Sequence, residues 1–238
     1  MQAVGGAQYF VGPAARPGLN PLTLDSRVPA SRPSAAIRDS AAAIGRCSAC
    51  CTSDMARRSA SDMVGYMAVS QRRVLLLAAD LFEDMELLYP LYRLTEEDVA
   101  VTVAGLDAKP VTGKKGHGPV AVDATVEQVT EGDYDALVIP GGFAPDKLRR
   151  SQAVLDLVRA FDASGKPIAF ICHAGWVPIS AKILKGRRAT SVSAIRDDME
   201  NAGTDWTDEP TVVDGNLISA RTPADLGPWM KALLRAIG

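Results

Sequence analysis

Short, predominantly apolar runs recur along this chain, and a stretch with helical spacing follows most of them. The runs span residues 74–79, 99–104, 134–140 and 167–171. A strand with almost no polar residues on either face has to be covered on both sides, which is typical of a parallel sheet. Right-handed crossovers then bring the carboxyl ends of these strands to one edge. The sequence therefore predicts an α/β sandwich with its functional site at that edge.

The segments between these runs complete a coarse order of elements. Helical spacing predicts helices over residues 83–97, 151–163, 176–184, 195–202 and 223–237, and one helical turn over 126–129. Ser151 is the expected N-cap of the second helix, and Gly165 lies beyond its end. Shorter strands are predicted over residues 120–122 and 188–192. The pair Asp214 and Gly215, between two apolar runs, predicts a β-hairpin with a tight primed turn.

Composition excludes several classes of partner. The 238-residue chain has a formal net charge of −2 and a pI of about 5.7, so no basic surface for nucleic acid or anionic membranes is expected. No apolar run approaches the ~20 residues of a membrane span. Hydrophobic residues make up 47% of the chain, which is ample for a core. Four cysteines at this length do not form a disulfide framework, so a reducing, cytoplasmic setting is expected.

Residues 1–69 differ in composition from residues 70–238. They are rich in Ala, Ser, Arg, Gly and Pro, contain no Lys or Glu, and show no sustained period. Such a segment cannot bury enough apolar surface to offset its ordering entropy. We expect a disordered leader, or upstream sequence assigned from too early a start, before one α/β domain; an organellar transit peptide is the second interpretation. The C-x-x-C-C run that begins at Cys47 is a weak candidate for a metal site, because no second cysteine pair or nearby histidine accompanies it.

Cys172 stands where the apolar run of residues 167–171 ends and a helical pattern begins. Small residues, Ala174 and Gly175, follow His173, as a sharp strand-to-helix turn favours. A thiol at such a turn stands at the exposed edge of the sheet, and the amides of the next helix are expected to lower its pKa from about 8.5. Cys172 is therefore the expected nucleophile. His173 is the expected general base or acid, the alternative being that only its backbone matters.

Two glutamates follow the first strand. Glu83 and Glu86 are three residues apart at a helix start, so they share one face and suit the helix dipole. A glutamate packed against the thiol would set its protonation, and Glu86 is favoured for this role. The alternative is that one or both glutamates only cap the helix.

Gly141 and Gly142 follow the fourth strand. Residues without side chains let the backbone pass close to a ligand and aim N–H groups at an oxyanion, with the amide of His173 as a further donor. The alternative is an ordinary tight turn. The chain contains neither a phosphate-binding loop nor a dinucleotide-binding fingerprint. The other of the two histidines, His117, lies in a Gly/Lys loop and is expected to be solvated, so a histidine-rich metal site is not expected.

These residues, in this order, resemble the ThiJ/PfpI family of the class I glutamine amidotransferase-like superfamily. The resemblance covers residues 72–238 and is carried by F-E-D-M-E-L at 82–87, D-A-L-V-I-P-G-G at 135–142, A-P-D at 144–146, I-C-H at 171–173, D-D-M-x-N-A-G at 197–203 and P-A-D-L at 223–226. It implies a flavodoxin-like three-layer α/β sandwich, Cys172 as nucleophile with His173 beside it, and no cofactor. In the PfpI branch an acid from a neighbouring subunit completes the site, which implies a homodimer or higher homo-oligomer. The matching residue is Asp146, which by itself reads equally as a helix N-terminal acid.

One departure from the family pattern lies next to the nucleophile. The family reads C-H-G-P where this chain reads C-H-A-G. Ala174 adds a methyl group at the tightest point of the turn, and Gly175 replaces a rigid proline at the helix start. Trp176, the next residue, lies either at the pocket or in the core.

The resemblance implies cysteine-dependent chemistry on a small carbonyl compound or a peptide. We favour reactive carbonyls such as methylglyoxal, in a glyoxalase or deglycase of stress protection, because a thiolate adds readily to aldehydes. An intracellular cysteine peptidase is the first alternative. A redox sensor or holdase, in which Cys172 becomes a sulfinate held by Glu86, is the second, and a binding module is the third. Glutamine amidotransferase activity is not expected, because no histidine follows His173.

Overall fold

A seven-stranded sheet forms the centre of the chain in the computed structural model, which describes residues 69–238. Its strands are β1 (Arg73–Ala78), β2 (Ala100–Gly105), β3 (Ala124–Thr125), β4 (Ala136–Ile139), β5 (Ile168–Ile171), β8 (Thr211–Asp214) and β9 (Leu217–Ala220). A two-stranded sheet pairs β6 (Arg188–Ala189) with β7 (Asp205–Trp206). The expected leader, except Val69, and the cysteine run at Cys47 lie outside the described residues.

The described helices form two groups, one on each face of the large sheet. They are α1 (Asp84–Glu96), α2 (Ala144–Leu148), α3 (Gln152–Ala163), α4 (Trp176–Ala181), α5 (Arg196–Asn201) and α6 (Leu226–Ile237). Helix α1 packs against α6, and α3 packs against α4. The predicted three-layer α/β sandwich is therefore confirmed. None of the helices within residues 69–238 is long and apolar enough to cross a membrane.

The order of strands in the large sheet is β3-β2-β1-β4-β5-β9-β8. Every neighbouring pair is parallel except β8 and β9, which form the predicted hairpin. All residues of β4 and β5 are buried, which explains why these segments have almost no polar residues. Because β1, β4 and β5 are adjacent and parallel, the residues that follow them meet at one edge of the sheet.

Local hydrogen bonds explain where the elements differ from the predictions. The strand expected over 120–122 is wrong: Val120 makes only an isolated bridge to Val111, and pairing with β2 begins at Ala124. The strand expected over 188–192 is limited to β6, because the Thr190 amide donates to the side chain of Ser219 instead of continuing the ladder. Helix α2 was not predicted.

The ends of two predicted elements also move by a few residues. Helix α4 ends at Ala181 and not at 184, because Lys182 adopts the left-handed conformation with φ of +66°. The hairpin turn is formed by Gly215 and Asn216, one residue later than the predicted pair. Gly215, with φ of +56°, takes the first central position, where a type II′ turn requires glycine. Ser151 is confirmed as the N-cap of α3 by its hydrogen bond from the Val154 amide.

Candidate active site

The turn between β5 and α4 brings Cys172 and His173 side by side. β5 ends at Ile171, and one turn of 3-10 helix precedes α4. Cys172 has φ of +62°, a strained conformation for a residue with a side chain. Consecutive residues ordinarily point apart, but here the Cys172 Sγ lies 3.2 Å from the Nδ1 of His173. The structure therefore places the thiol within proton-transfer distance of a ring nitrogen.

Glu86 is a fully buried carboxyl group beside this thiol. Its Oε2 accepts a hydrogen bond from the Gly141 amide at 2.9 Å, whereas its Oε1 has no hydrogen-bond partner. Burial first, and then the negative charge of Glu83, raise the pKa of Glu86 to about 7, although hydrogen bonds from Gly141 and Cys172 oppose the rise. Glu86 thus changes charge near neutral pH and lies beside the thiol, where the sequence placed it.

Glu83 is also buried, but the partners of its carboxylate are two lysines and not Cys172 or His173. Lys114 Nζ lies 2.5 Å from one carboxylate oxygen, and Lys115 Nζ lies 2.8 Å from the other. Burial raises the pKa of Glu83, but the hydrogen bonds and charges of both lysines outweigh it and hold that pKa below its ordinary value. Glu83 therefore carries a permanent charge near the site without contacting the thiol.

The two lysines belong to a loop of residues 113–118 that α1 holds in place. The Asp84 carboxylate, at the start of α1, accepts hydrogen bonds from the amides of Lys115 and His117, each at 3.0 Å. The Lys114 amide donates to the carbonyl of Phe82 at 2.9 Å. His117 itself is exposed, as expected. The lysines were missed by the sequence reasoning, because nothing local to the loop shows that it folds back onto the first strand's carboxyl end.

Gly141 and Gly142 lie where a side chain would collide with the site. A Cβ atom on Gly141 would lie 2.5 Å from the Glu86 Oε2 and 2.8 Å from the Cys172 Cβ, and one on Gly142 would overlap the backbone of Glu83. Gly142 also has φ of +80°, which favours glycine. Their amides serve different partners: Gly141 donates to Glu86, whereas Gly142 donates to the Cys172 sulfur. The Gly141 amide is therefore bound to Glu86, and the Gly142 amide is the donor of this pair that faces the thiol.

The thiol of Cys172 does not have the lowered pKa that its position at a helix start predicts. Burial first, and then the charge of Glu86, raise the pKa of Cys172 to about 12, against the hydrogen bonds donated by the amides of His173 and Gly142. The side chain is 7% exposed, so little water stabilises a thiolate. The expectation of a lowered thiol pKa is thus wrong, and the thiol is protonated at neutral pH.

His173 is suited to take that proton. Burial and the positive charge of Lys114 lower the pKa of His173 below its ordinary value of 6.5, so the ring is neutral at physiological pH. Among the described residues, no carboxylate forms a hydrogen bond or ion pair with the ring. Asp146 lies on the surface of α2 and pairs with Arg150 at 2.5 Å, so it is not part of the site in its own chain.

The departure at Ala174 and Gly175 is accommodated by close packing against α5. Ala174 is fully buried. A Cβ atom on Gly175 would lie 2.8 Å from Met199 Sδ and 3.1 Å from Ile195 Cδ1, so a larger residue there would push these side chains aside. The methyl group of Ala174 and the side chain of Met199 thus fill the space behind the turn.

Trp176 lies beside the site and not in the core. Its ring centroid is 5.3 Å from that of His173, and the Arg149 guanidinium lies 5.6 Å above it. Its indole N–H donates to Asp198 at 2.8 Å. Trp176 therefore limits how the His173 ring can turn.

Within residues 69–238, no group of three or more His, Cys, Asp or Glu side chains is arranged to hold a metal ion.

Comparison with known proteins identifies the class to which this fold and site belong. The sequence model of the DJ-1/PfpI family matches residues 72–236, and the chain belongs to that family. The fold is accordingly the flavodoxin-like α/β fold of the class I glutamine amidotransferase-like proteins, as predicted. A two-domain protein from Anabaena variabilis with DJ-1/ThiJ/PfpI-like and ferritin-like domains has a TM-score of 0.69 at 38% identity, over 69% of this chain and 48% of that one.

Several relatives carry names that describe an activity. Deglycase PfpI from Pyrococcus furiosus is 45% identical over 165 residues, which cover 69% of this chain and 99% of that protein. A deglycase from Pyrococcus abyssi is 47% identical over 165 residues, with the same coverage. YraA from Bacillus subtilis, named as a candidate cysteine protease, is 39% identical over 167 residues, which cover 70% of this chain and 98% of that protein.

Proposed function

We propose that this protein is a cysteine-dependent deglycase of the PfpI type that acts on adducts of reactive carbonyls such as methylglyoxal. The observation that carries the proposal is the contact between the Cys172 thiol and the His173 ring at 3.2 Å, where the amides of Gly142 and His173 also converge on the sulfur. The names of the two Pyrococcus relatives support the substrate class. A reactive thiol of this kind is suited to the reducing cytoplasm, where we place the enzyme.

The first step is addition of the sulfur to the carbonyl carbon. As the carbon–sulfur bond forms, the thiol proton passes to Nδ1 of the neutral His173 ring. The carbonyl oxygen becomes an oxyanion, and the amides of Gly142 and His173 are the donors positioned to stabilise it. The imidazolium then returns its proton to this oxygen, which gives a hemithioacetal on Cys172. With methylglyoxal, transfer of the hydrogen on this carbon to the neighbouring ketone carbon gives a thioester, and water then breaks the carbon–sulfur bond, which releases lactate and restores the thiol. Glu86 assists while protonated, because its neutral form no longer opposes negative charge on the sulfur.

Carbonyl chemistry fits this site better than amide hydrolysis does. An aldehyde is electrophilic enough to accept a thiol as its proton is removed, whereas an amide also requires a well-oriented acid for the leaving amine. Among the described residues no carboxylate orients the His173 ring. Peptide hydrolysis at this site would therefore depend more strongly on a carboxylate supplied from outside this chain. Methylglyoxal plus water gives lactate without net oxidation, so the reaction needs no external oxidant or reductant.

We infer further that a second copy of the chain supplies the missing carboxylate. Asp146 is exposed on α2, and its partner in its own chain is the exposed Arg150. In a homodimer or higher homo-oligomer this side chain is free to reach the His173 of a neighbour. Asp146→Asn would then lower kcat without unfolding the protein, and mixing it with Cys172→Ala would restore activity in mixed oligomers. Mixtures no more active than Asp146→Asn alone would count against a shared site.

Intracellular peptidase activity is the second candidate, favoured by the name of the YraA relative. The deciding experiment follows lactate formation from methylglyoxal and cleavage of a fluorogenic peptide with the same preparation. The proposed function predicts lactate formation that Cys172→Ala abolishes, with little peptide cleavage. Cys172-dependent peptide cleavage without lactate would favour the peptidase. Conversion of Cys172 to a sulfinate by mild peroxide, with neither turnover, would favour a redox sensor.

A further inference from the structure

The loop of residues 113–118 is fixed one segment away from the nucleophile. Phe82 forms a parallel bridge to Gly113 on one side and an antiparallel bridge to Gly142 on the other. The residue before it, Gly141, lies directly against Cys172, since a Cβ atom on Gly141 would be 2.8 Å from the Cys172 Cβ. The hydrogen bonds from the loop to Asp84 and Phe82 hold the backbone of the lysines rigidly beside this arrangement. The loop therefore has a fixed position beside the candidate site.

The two lysines of this loop differ in burial although both bind Glu83. The Lys114 side chain is 31% exposed and the Lys115 side chain is 65% exposed. The charge of Lys114 reaches further into the site: it lowers the pKa of His173, and the charges of Cys172 and Glu86 in turn help to raise the pKa of Lys114. Lys115 therefore provides a natural control for the loss of one cation from Glu83.

We propose that Lys114 is a positioning residue whose ammonium group sets the pH range in which Cys172 reacts. A positive charge close to the thiol favours the thiolate and disfavours the imidazolium of His173, so it keeps His173 available as a base at lower pH. Glu83 holds the ammonium group of Lys114 in place, and the charge of Lys114 then acts on Cys172 and His173 across space. The inference rests on the proposed role of Cys172 as nucleophile and names the cation that tunes it.

The other charged groups around Cys172 do not duplicate this cation. α1 contributes only carboxyl groups, those of Glu83, Asp84 and Glu86. On the side of α2 and α5 the nearby charges have partners of their own, as the following contacts show: Asp146 with Arg150, Asp80 with Lys147, Arg149 with the Trp176 ring, Asp198 with the Trp176 indole, and Arg196 with Glu200. Lys114 is therefore the cation whose loss is expected to change the reactivity of the thiol most.

The test compares alkylation of Cys172 by iodoacetamide in the full chain, followed from pH 6 to 11 by mass spectrometry of the Cys172 peptide. Lys114→Met is expected to move the pH–rate profile upward by about 0.5–1 pH unit, which slows alkylation about 3- to 10-fold at a fixed pH on the rising limb. Lys115→Met and the charge-conserving Lys114→Arg are expected to stay close to the parent profile. The pKa of His173, read from NMR of the two histidines, is expected to rise in Lys114→Met.

Lys114→Gln is a second neutral variant and is expected to shift the pH–rate profile of alkylation by the same amount. The role of Lys114 can therefore be tested even if Lys114→Met fails to fold. A profile unchanged in the neutral variants, or displaced equally by Lys115→Met, would overturn the role of Lys114. Alkylation needs no substrate turnover. Failure of this inference is therefore separate from failure of the deglycase proposal, which is decided by lactate formation.

Discussion

Replacing Glu86 by glutamine is expected to stabilise the folded protein at neutral and alkaline pH. The pKa of Glu86 is raised from an ordinary value of 4.5 to about 7, mainly by burial. A carboxyl group with a raised pKa binds its proton more tightly in the folded protein than in the unfolded chain. Its contribution to the free energy of unfolding is therefore fully present below about pH 4.5 and is lost as the pH rises through about 7.

The size of the effect follows from the pKa difference of about 2.5, which corresponds to about 3 kcal/mol. Glutamine stays neutral and keeps an oxygen that can accept the hydrogen bond from Gly141. Urea unfolding at pH 5 and pH 8 should therefore show Glu86→Gln gaining about 2.5 kcal/mol on the parent between the two pH values, because a small part of the effect is already present at pH 5. The matched control is Glu83→Gln, which removes a buried carboxylate whose pKa is lowered. It should destabilise at both pH values, by somewhat less at pH 8 because the charge of Glu83 no longer raises the pKa of Glu86. A difference between parent and Glu86→Gln that is the same at pH 5 and pH 8 would refute the reasoning.

Three further changes test other parts of the structure. Gly142→Ala places a side chain on a residue with φ of +80° and against the Glu83 backbone. In urea unfolding it should lower the free energy of unfolding by about 2 kcal/mol or more. In the lactate assay it should abolish turnover. Gly175→Ala should cost only about 1 kcal/mol in the same unfolding assay, because the flexible side chain of Met199 can move. The cost of Gly175→Ala should be smaller when it is measured in a Met199→Ala background, where the clashing side chain is absent. Turnover should fall with decreasing pH through a pKa below 6.5, as His173 becomes protonated, and a pH–rate profile with that limb well above 6.5 would contradict the assignment of His173 as base.

The fold and the main site residues could be predicted because they depend on patterns local to the sequence. The apolar runs identified four strands of the sheet, and the residues that follow three of them, Glu86, Gly141 with Gly142, and Cys172, meet at its edge as expected. The hairpin followed from Gly215 and its neighbours. Strands and helices alternate regularly between these residues, and this alternation can be recognised in a single sequence.

The parts that could not be predicted depend on contacts between distant segments. Lys114 and Lys115 bind Glu83 only because the loop folds back onto α1, and no periodicity indicates this. The raised pKa of Cys172 was missed because a helix start favours a thiolate, whereas burial and Glu86 oppose it. The leader over residues 1–69 stays a prediction, since all of these residues except Val69 lie outside the described part of the chain.

The central claim is that the Cys172 thiol attacks a carbonyl adduct. The most direct measurement uses a peptide glycated by methylglyoxal and purified from free reagent, and follows by mass spectrometry the return of the unmodified peptide mass together with lactate. The account predicts that the parent protein regenerates the peptide and that Cys172→Ala, folded to the same extent, does not exceed the rate without enzyme. Equal regeneration by parent and variant, or none by either, would contradict it.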